Sequence, residues 1–150
     1  MLVSLDQLTK FLVTLRLRPN ESLPIIDNFF RITYIQNSGM AFGLMANVEP
    51  STRTILLLFF PILVMLILFT LFTRLKEIHP LSIYSYCFII GGGLGNLLDR
   101  IRSGFVVDFL DFHYQDRWHF PAFNIADCSI SFGLFLLVLH FLFEKEGRGE

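Results

Sequence analysis

The sequence predicts a membrane protein, mainly α: four transmembrane helices with a small β-rich subdomain between helices 1 and 2. Three observations carry this. Of 150 residues, 53% are hydrophobic and 18 are phenylalanine, and the mean hydropathy is +0.58, more apolar than a soluble domain with a polar skin. Uncharged apolar runs recur at helix length, above all TILLLFFPILVMLILFTLFT, Thr54 to Thr73. The polar residues that could do chemistry gather in two connections between these runs.

We read residues 1–150 as one domain, with helices at roughly 2–18, 53–73, 81–98 and 127–143. A span needs roughly 20 mostly apolar residues. The first segment, MLVSLDQLTKFLVTLRL, has few apolar residues before Asp6 and neither a basic start nor a small-residue cleavage site, so it is not read as a secretory signal peptide. Either this first helix is genuinely short or its true beginning is missing, and the second is the expectation. The second run tolerates Pro61 or kinks there. The third and fourth, Leu81 to Leu98 and Cys128 to Phe143, are shorter, and flanking residues extend them.

With four spans, the connections 19–50 and 99–126 emerge on one side, and both termini and the 74–80 turn lie on the other. Lys and Arg in short loops mark the cytoplasmic side. Here Arg74, Lys76, Lys145 and Arg148 are outnumbered by Arg16, Arg18, Arg31, Arg53, Arg100, Arg102 and Arg117 on the side of the long connections, so the charge count alone places those connections inside.

The connection 19–50 changes period. In NFFRITYIQNSGMAFG, Phe30, Ile32 and Tyr34 alternate with Phe29, Arg31, Thr33 and Ile35, which suggests a strand or two, or a hydrophobic loop on the headgroups. Asn37, Ser38 and Gly39 supply a turn. The connection 99–126 is read as a loop that folds back. Cys87 and Cys128 lack metal-ligand spacing and read as small packing residues rather than a disulfide.

The net charge of −1 offers no basic stripe for nucleic acid. Asp6 and Lys10, four apart on a helix, face one side and can pair, a structural support inside an apolar element. GGGLGNLLDR, Gly91 to Arg100, lacks the G-x-G-x-x-G register of a dinucleotide loop; its glycines read as close helix packing. Asn96 and Arg100, again four apart, can point together at a neighbouring loop.

VVDFLDFHYQDRWHFPAFNIAD, Val106 to Asp127, holds four aspartates of unequal promise. Asp111 and Asp116 sit in polar company and read as loop solvation. Asp108 is embedded among Val106, Val107 and Phe109, and Asp127 opens the last helix with Asn124 as its N-cap. His113 and His119 are six apart, and the nearby phenylalanines and prolines provide no ligands, so no metal is expected. If Asp108 and Asp127 meet, two acids in a partly dry site share a proton: one activates water while the other polarises a carbonyl, as in aspartic proteases. Buried acids near a membrane interface suit a proton-coupled transporter nearly as well, and a structural binding scaffold is a third class.

Taken together, DQLTK (6–10), YIQNSGMAFG (34–43), GGGLGNLLDRIRSGFVVDFLDF (91–112) and FPAFNIADCSI (120–130) resemble the bacterial lipoprotein signal peptidase family, signal peptidase II, over nearly the whole chain in the same order. The resemblance implies an aspartic endopeptidase of the cytoplasmic (inner) membrane. It would cut lipid-modified prolipoproteins before the diacylglyceryl cysteine, with a periplasmic active site and cytoplasmic termini. The implied catalytic dyad is Asp108 and Asp127. Asn37, Gly92, Asn96, Arg100, Asn124 and Ala126 match positions that line or support the site, and Asp6 with Lys10 match the pair on the first helix. The implied partners are prolipoproteins, membrane lipids and globomycin-type cyclic peptides bound at the dyad; no cofactor is implied, and the working unit is expected to be a monomer.

Overall fold

The computed structural model describes residues 1–39, 49–74 and 79–147. Among the described residues, four helices and four strands follow one another as α1 (Leu2–Arg16), β1 (Ser22–Ile26), β2 (Phe30–Asn37), α2 (Pro50–Thr73), α3 (Pro80–Ser103), β3 (Val106–Tyr114), β4 (Trp118–His119) and α4 (Ile125–Gly147), with a 3₁₀ turn at Gln115–Arg117. Among the described residues, three helices are long and apolar enough to cross a membrane: Ser51–Thr73, Pro80–Ser103 and Ile125–Phe143. The first helix, with 15 residues, covers about 22 Å at 1.5 Å per residue, less than a hydrocarbon core of about 30 Å.

The helices are polar inside and apolar outside. Leu5, Leu8, Phe11, Leu12 and Leu15 of α1 are exposed while Asp6 and Lys10 are buried. In α2 and α4, Ile55, Leu66, Phe69, Phe135, Val138 and Phe141 are likewise exposed. In water this arrangement would be costly; in hydrocarbon the apolar side chains meet a matched solvent and ionisable groups turn to one another. Pro61 lies inside α2 without ending it. Pro50 and Pro80 stand at the first turns of α2 and α3, where a missing N–H costs nothing.

Three of the helices run past their expected ends: α2 starts at Pro50, α3 continues through Asn96, Asp99 and Arg100 to Ser103, and α4 begins at Ile125. Hydropathy marks where apolar residues stop, whereas helix hydrogen bonding continues into the polar margin. The glycines of α3 serve close packing. A Cβ on Gly92 would lie 2.4 Å from the Ala126 carbonyl oxygen, and one on Gly95 2.6 Å from Asp6 Oδ2, so α4 and α1 approach α3 to distances that a side chain forbids.

The expectation of a loop at 99–126 is corrected. Val106–Tyr114 is a strand, and the sheet order β1-β2-β3-β4 joins β2 of the first connection to β3 of the second. Asn37 faces Val106, Ile35 faces Asp108 and Arg31 faces Asp111 in antiparallel register. This pairing puts both long connections at one end of the helices. Val13, Tyr34, Val107 and Phe109 form a buried cluster between the sheet and the end of α1.

Asp111 is corrected with it. It is only 4% exposed and forms an ion pair with Arg31, its cross-strand neighbour, so burial beside a cation, not solvation, explains it. The side chain of Asp116 lies outside the described residues. Cys87 and Cys128 are free thiols on exposed helix surface rather than packed residues. His113 and His119 face each other across β3 and β4 with rings 5.6 Å apart.

Candidate active site

Two acids come within electrostatic reach of each other where β3 meets the start of α4. Asp108 is carried by the strand, which the β2 ladder fixes, and is 3% exposed. Asp127 sits in the first turn of α4 and is partly exposed. The residue that joins them is Asn124. Its Nδ2 donates to Asp108 Oδ1 at 2.7 Å, its Oδ1 accepts from the Asp127 backbone N–H at 3.0 Å, and its own N–H donates to Asp127 Oδ2 at 3.2 Å. This reciprocal pair is a capping box with an added arm. The cap expected at Asn124 is therefore present, and the same amide reaches the other acid.

Each aspartate has a second asparagine. Asn37 Nδ2 donates to Asp108 Oδ2 at 2.8 Å, while Asn37 Oδ1 accepts the Gly39 N–H at 3.1 Å, which is the expected turn. Asn96 Nδ2 donates to Asp127 Oδ1 at 2.7 Å. Burial pushes the Asp108 carboxyl up to about 6; the Asn37 amide resists, the Asp127 charge adds to the rise, and the Asn124 amide and Lys10 resist further.

Asp6 and Lys10 pair as expected, Nζ to Oδ2 at 2.8 Å. The pair belongs to a larger network. Lys10 also reaches Asp99 Oδ2 at 2.8 Å and Asn96 Oδ1 at 3.0 Å, so all three ammonium donors are used. Asp6 Oδ1 accepts the Ala126 N–H at 2.9 Å, a second cap on α4. Gln7 donates to Asp99 Oδ1 at 2.7 Å. Among the candidates, Gly92 and Ala126 thus act through packing and backbone, not through a side chain facing the acids.

Arg100 lies within electrostatic reach of Asp127, Asp108 and Asp99. Its Nη1 touches the Asn96 carbonyl at 3.5 Å, and its buried Nε has no hydrogen-bond partner among the described residues. Sequence reasoning missed Gln7 and Asp99. The signal was spacing: Asp99 is three residues after Asn96, on the same face of α3. Met40 to Gly43, part of the motif that contains Asn37, lie outside the described residues.

The ion pairs sort the acids. Asp6 and Asp99 share Lys10, and Asp111 has Arg31. Among the described residues, Asp108 and Asp127 have no ion-pair partner and are held by neutral amides, which fix position without neutralising an acid. No group of three or more His, Cys, Asp or Glu side chains is arranged to hold a metal among the described residues.

Comparison with known proteins is consistent across sequence and structure. The family model for signal peptidase (SPase) II matches residues 1–143. A lipoprotein signal peptidase of Desulforapulum autotrophicum is 44% identical over 96% of this chain and 88% of its own length. One of Moorella thermoacetica is 39% identical over 100% and 93%. A solved bacterial membrane enzyme superimposes with a TM-score of 0.85 at 28% identity, covering 99% of this chain and 87% of that one.

Proposed function

Because the chain belongs to the signal peptidase II family of aspartic proteases, we propose that it removes signal peptides from prolipoproteins with Asp108 and Asp127 as its catalytic dyad, cleaving before the diacylglyceryl cysteine. The observation that carries this reading is Asn124, which holds one acid through its side chain and the other through its backbone.

The chemistry follows from the asymmetry of the two acids. Asp108, buried and pushed up to about 6, holds a proton above the usual carboxylate range and offers it to the scissile carbonyl oxygen. Asp127, at the amino end of a helix that favours an anion, accepts a proton from water. The hydroxyl adds to the carbonyl carbon, the tetrahedral diol collapses, the C–N bond breaks and the cysteine amine leaves with a proton. The Arg100 Nε donor, without a partner among the described residues, is suited to a substrate backbone carbonyl. Asp6, Lys10 and Asn96 brace the site from α1 and α3. This division of labour needs no metal or organic cofactor.

The setting is the bacterial cytoplasmic membrane. In this reading α1 inserts as a fourth span, the sheet rests on the periplasmic surface, and a monomer suffices. Arginines that weigh against this orientation are in part engaged: Arg31 pairs with Asp111, Arg102 donates to Gln7, and Arg100 lies beside the acids. Membrane lipids surround the helices, and globomycin-type cyclic peptides would occupy the dyad. The test is cleavage of a diacylglyceryl-cysteine precursor peptide by purified protein in detergent. Binding without turnover would indicate a scaffold, and proton flux without cleavage a transporter.

A further inference from the structure

Lys10 is the centre of a cluster that reaches both proposed catalytic acids without touching either. An ammonium donates and never accepts. Contact with Lys10 at 3.0 Å therefore dictates that Asn96 turn its oxygen toward the cation and its NH₂ toward Asp127, where it donates at 2.7 Å. With the amide reversed, Asn96 would set NH₂ against ammonium and oxygen against carboxylate. On the other side, Asp99 Oδ2 takes one Lys10 donor at 2.8 Å and accepts the Val107 N–H at 3.3 Å. Val107 immediately precedes Asp108.

We propose that Lys10 and Asp99 form a positioning couple, Lys10 setting the amide that holds Asp127 and Asp99 fixing the backbone that presents Asp108. The proposal rests on the dyad reading and adds two residues that act through Asn96 and Val107. Burial supports it: the Lys10 and Asp99 side chains are 4% and 9% exposed, so solvent screens their contacts little.

Among the described residues, the charged groups around the dyad are Asp6 and Lys10 from α1, Asp99 and Arg100 from α3, Asp108 from β3 and Asp127 from α4; β2 contributes the neutral Asn37. Removing Lys10 deletes a cation that favours the ionised form of Asp108. The alkaline limb of the pH profile should therefore move to higher pH.

The experiment measures kcat, KM and the pH profile of the full chain in detergent on a diacylglyceryl-cysteine peptide, for Lys10→Met, Asp99→Asn and the double variant. The double variant removes the cation together with one of its two carboxylate partners, so Asp99 is not left as an unpaired charge, while Asp6 keeps the Ala126 N–H and the Gln7 amide as donors. We expect kcat to fall on the order of 10- to 100-fold with KM within about twofold of the parent, and the alkaline limb to move up in Lys10→Met. Monodisperse variants with unchanged kcat and an unmoved profile would overturn the couple while Asp108→Asn remains inactive. Cleavage by Asp108→Asn would overturn the dyad itself and the couple with it.

Discussion

Asn124 donates to Asp108 at 2.7 Å from a side chain whose oxygen caps Asp127 at 3.0 Å, so one fully buried residue sets the spacing of two acids on different elements. Replacement by serine should keep most of the cap and lose the reach to Asp108. Asn124→Ser is expected to lose cleavage on the order of 100-fold with a modest fall in melting temperature. Asn124→Ala should lose the cap as well, at about 1 kcal/mol or more. Paired activity and thermal-unfolding measurements in detergent separate the two effects.

Gly92 lies against the Ala126 carbonyl, where an added Cβ would come to 2.4 Å. Gly92→Ala should push α4 from α3 and destabilise by about 1–3 kcal/mol, with a loss of activity because Asp127 rides on α4. Thermal unfolding checks the first effect and cleavage the second.

Asp111 is a structural acid, so its neutralisation should affect stability more than chemistry. Asp111→Asn is expected to cost about 1–3 kcal/mol by weakening the contact with Arg31, while the folded fraction cleaves at close to the parental rate. Activity lost at native stability would show that Asp111 has been misplaced.

Stability should depend on pH through Asp108. Its carboxyl is raised from 3.8 to about 6 in the fold, so the native state binds the proton more tightly than the unfolded chain. That contribution is fully present below about 3.8 and is lost as pH rises through about 6. Melting temperatures recorded between these values should fall with rising pH in the parent, and this component should be absent in Asp108→Asn.

The three long apolar helices and their order were legible because the length of an apolar run is a direct demand of the bilayer. The strand at Val106–Tyr114 was not. Burial on both faces along its first half removes the alternation that marks a strand, and its partner lies in a different connection. Asp111 was misread for the same reason: in sequence it has polar neighbours, and only the β2–β3 register brings Arg31 to it. Asp108 and Asp127 stood out because apolar or capping neighbours make a carboxylate expensive or purposeful. Asp99 did not, since nothing near it in sequence marks a partner and its cation, Lys10, is on another helix.

The central claim is that two amide-held acids perform the hydrolysis. The most direct measurement is turnover of a diacylglyceryl-cysteine precursor peptide by the purified parent, Asp108→Asn and Asp127→Asn at matched folded fraction. The account predicts cleavage before the modified cysteine by the parent and a loss on the order of 1000-fold or more in each variant. Parental turnover in either variant would contradict it.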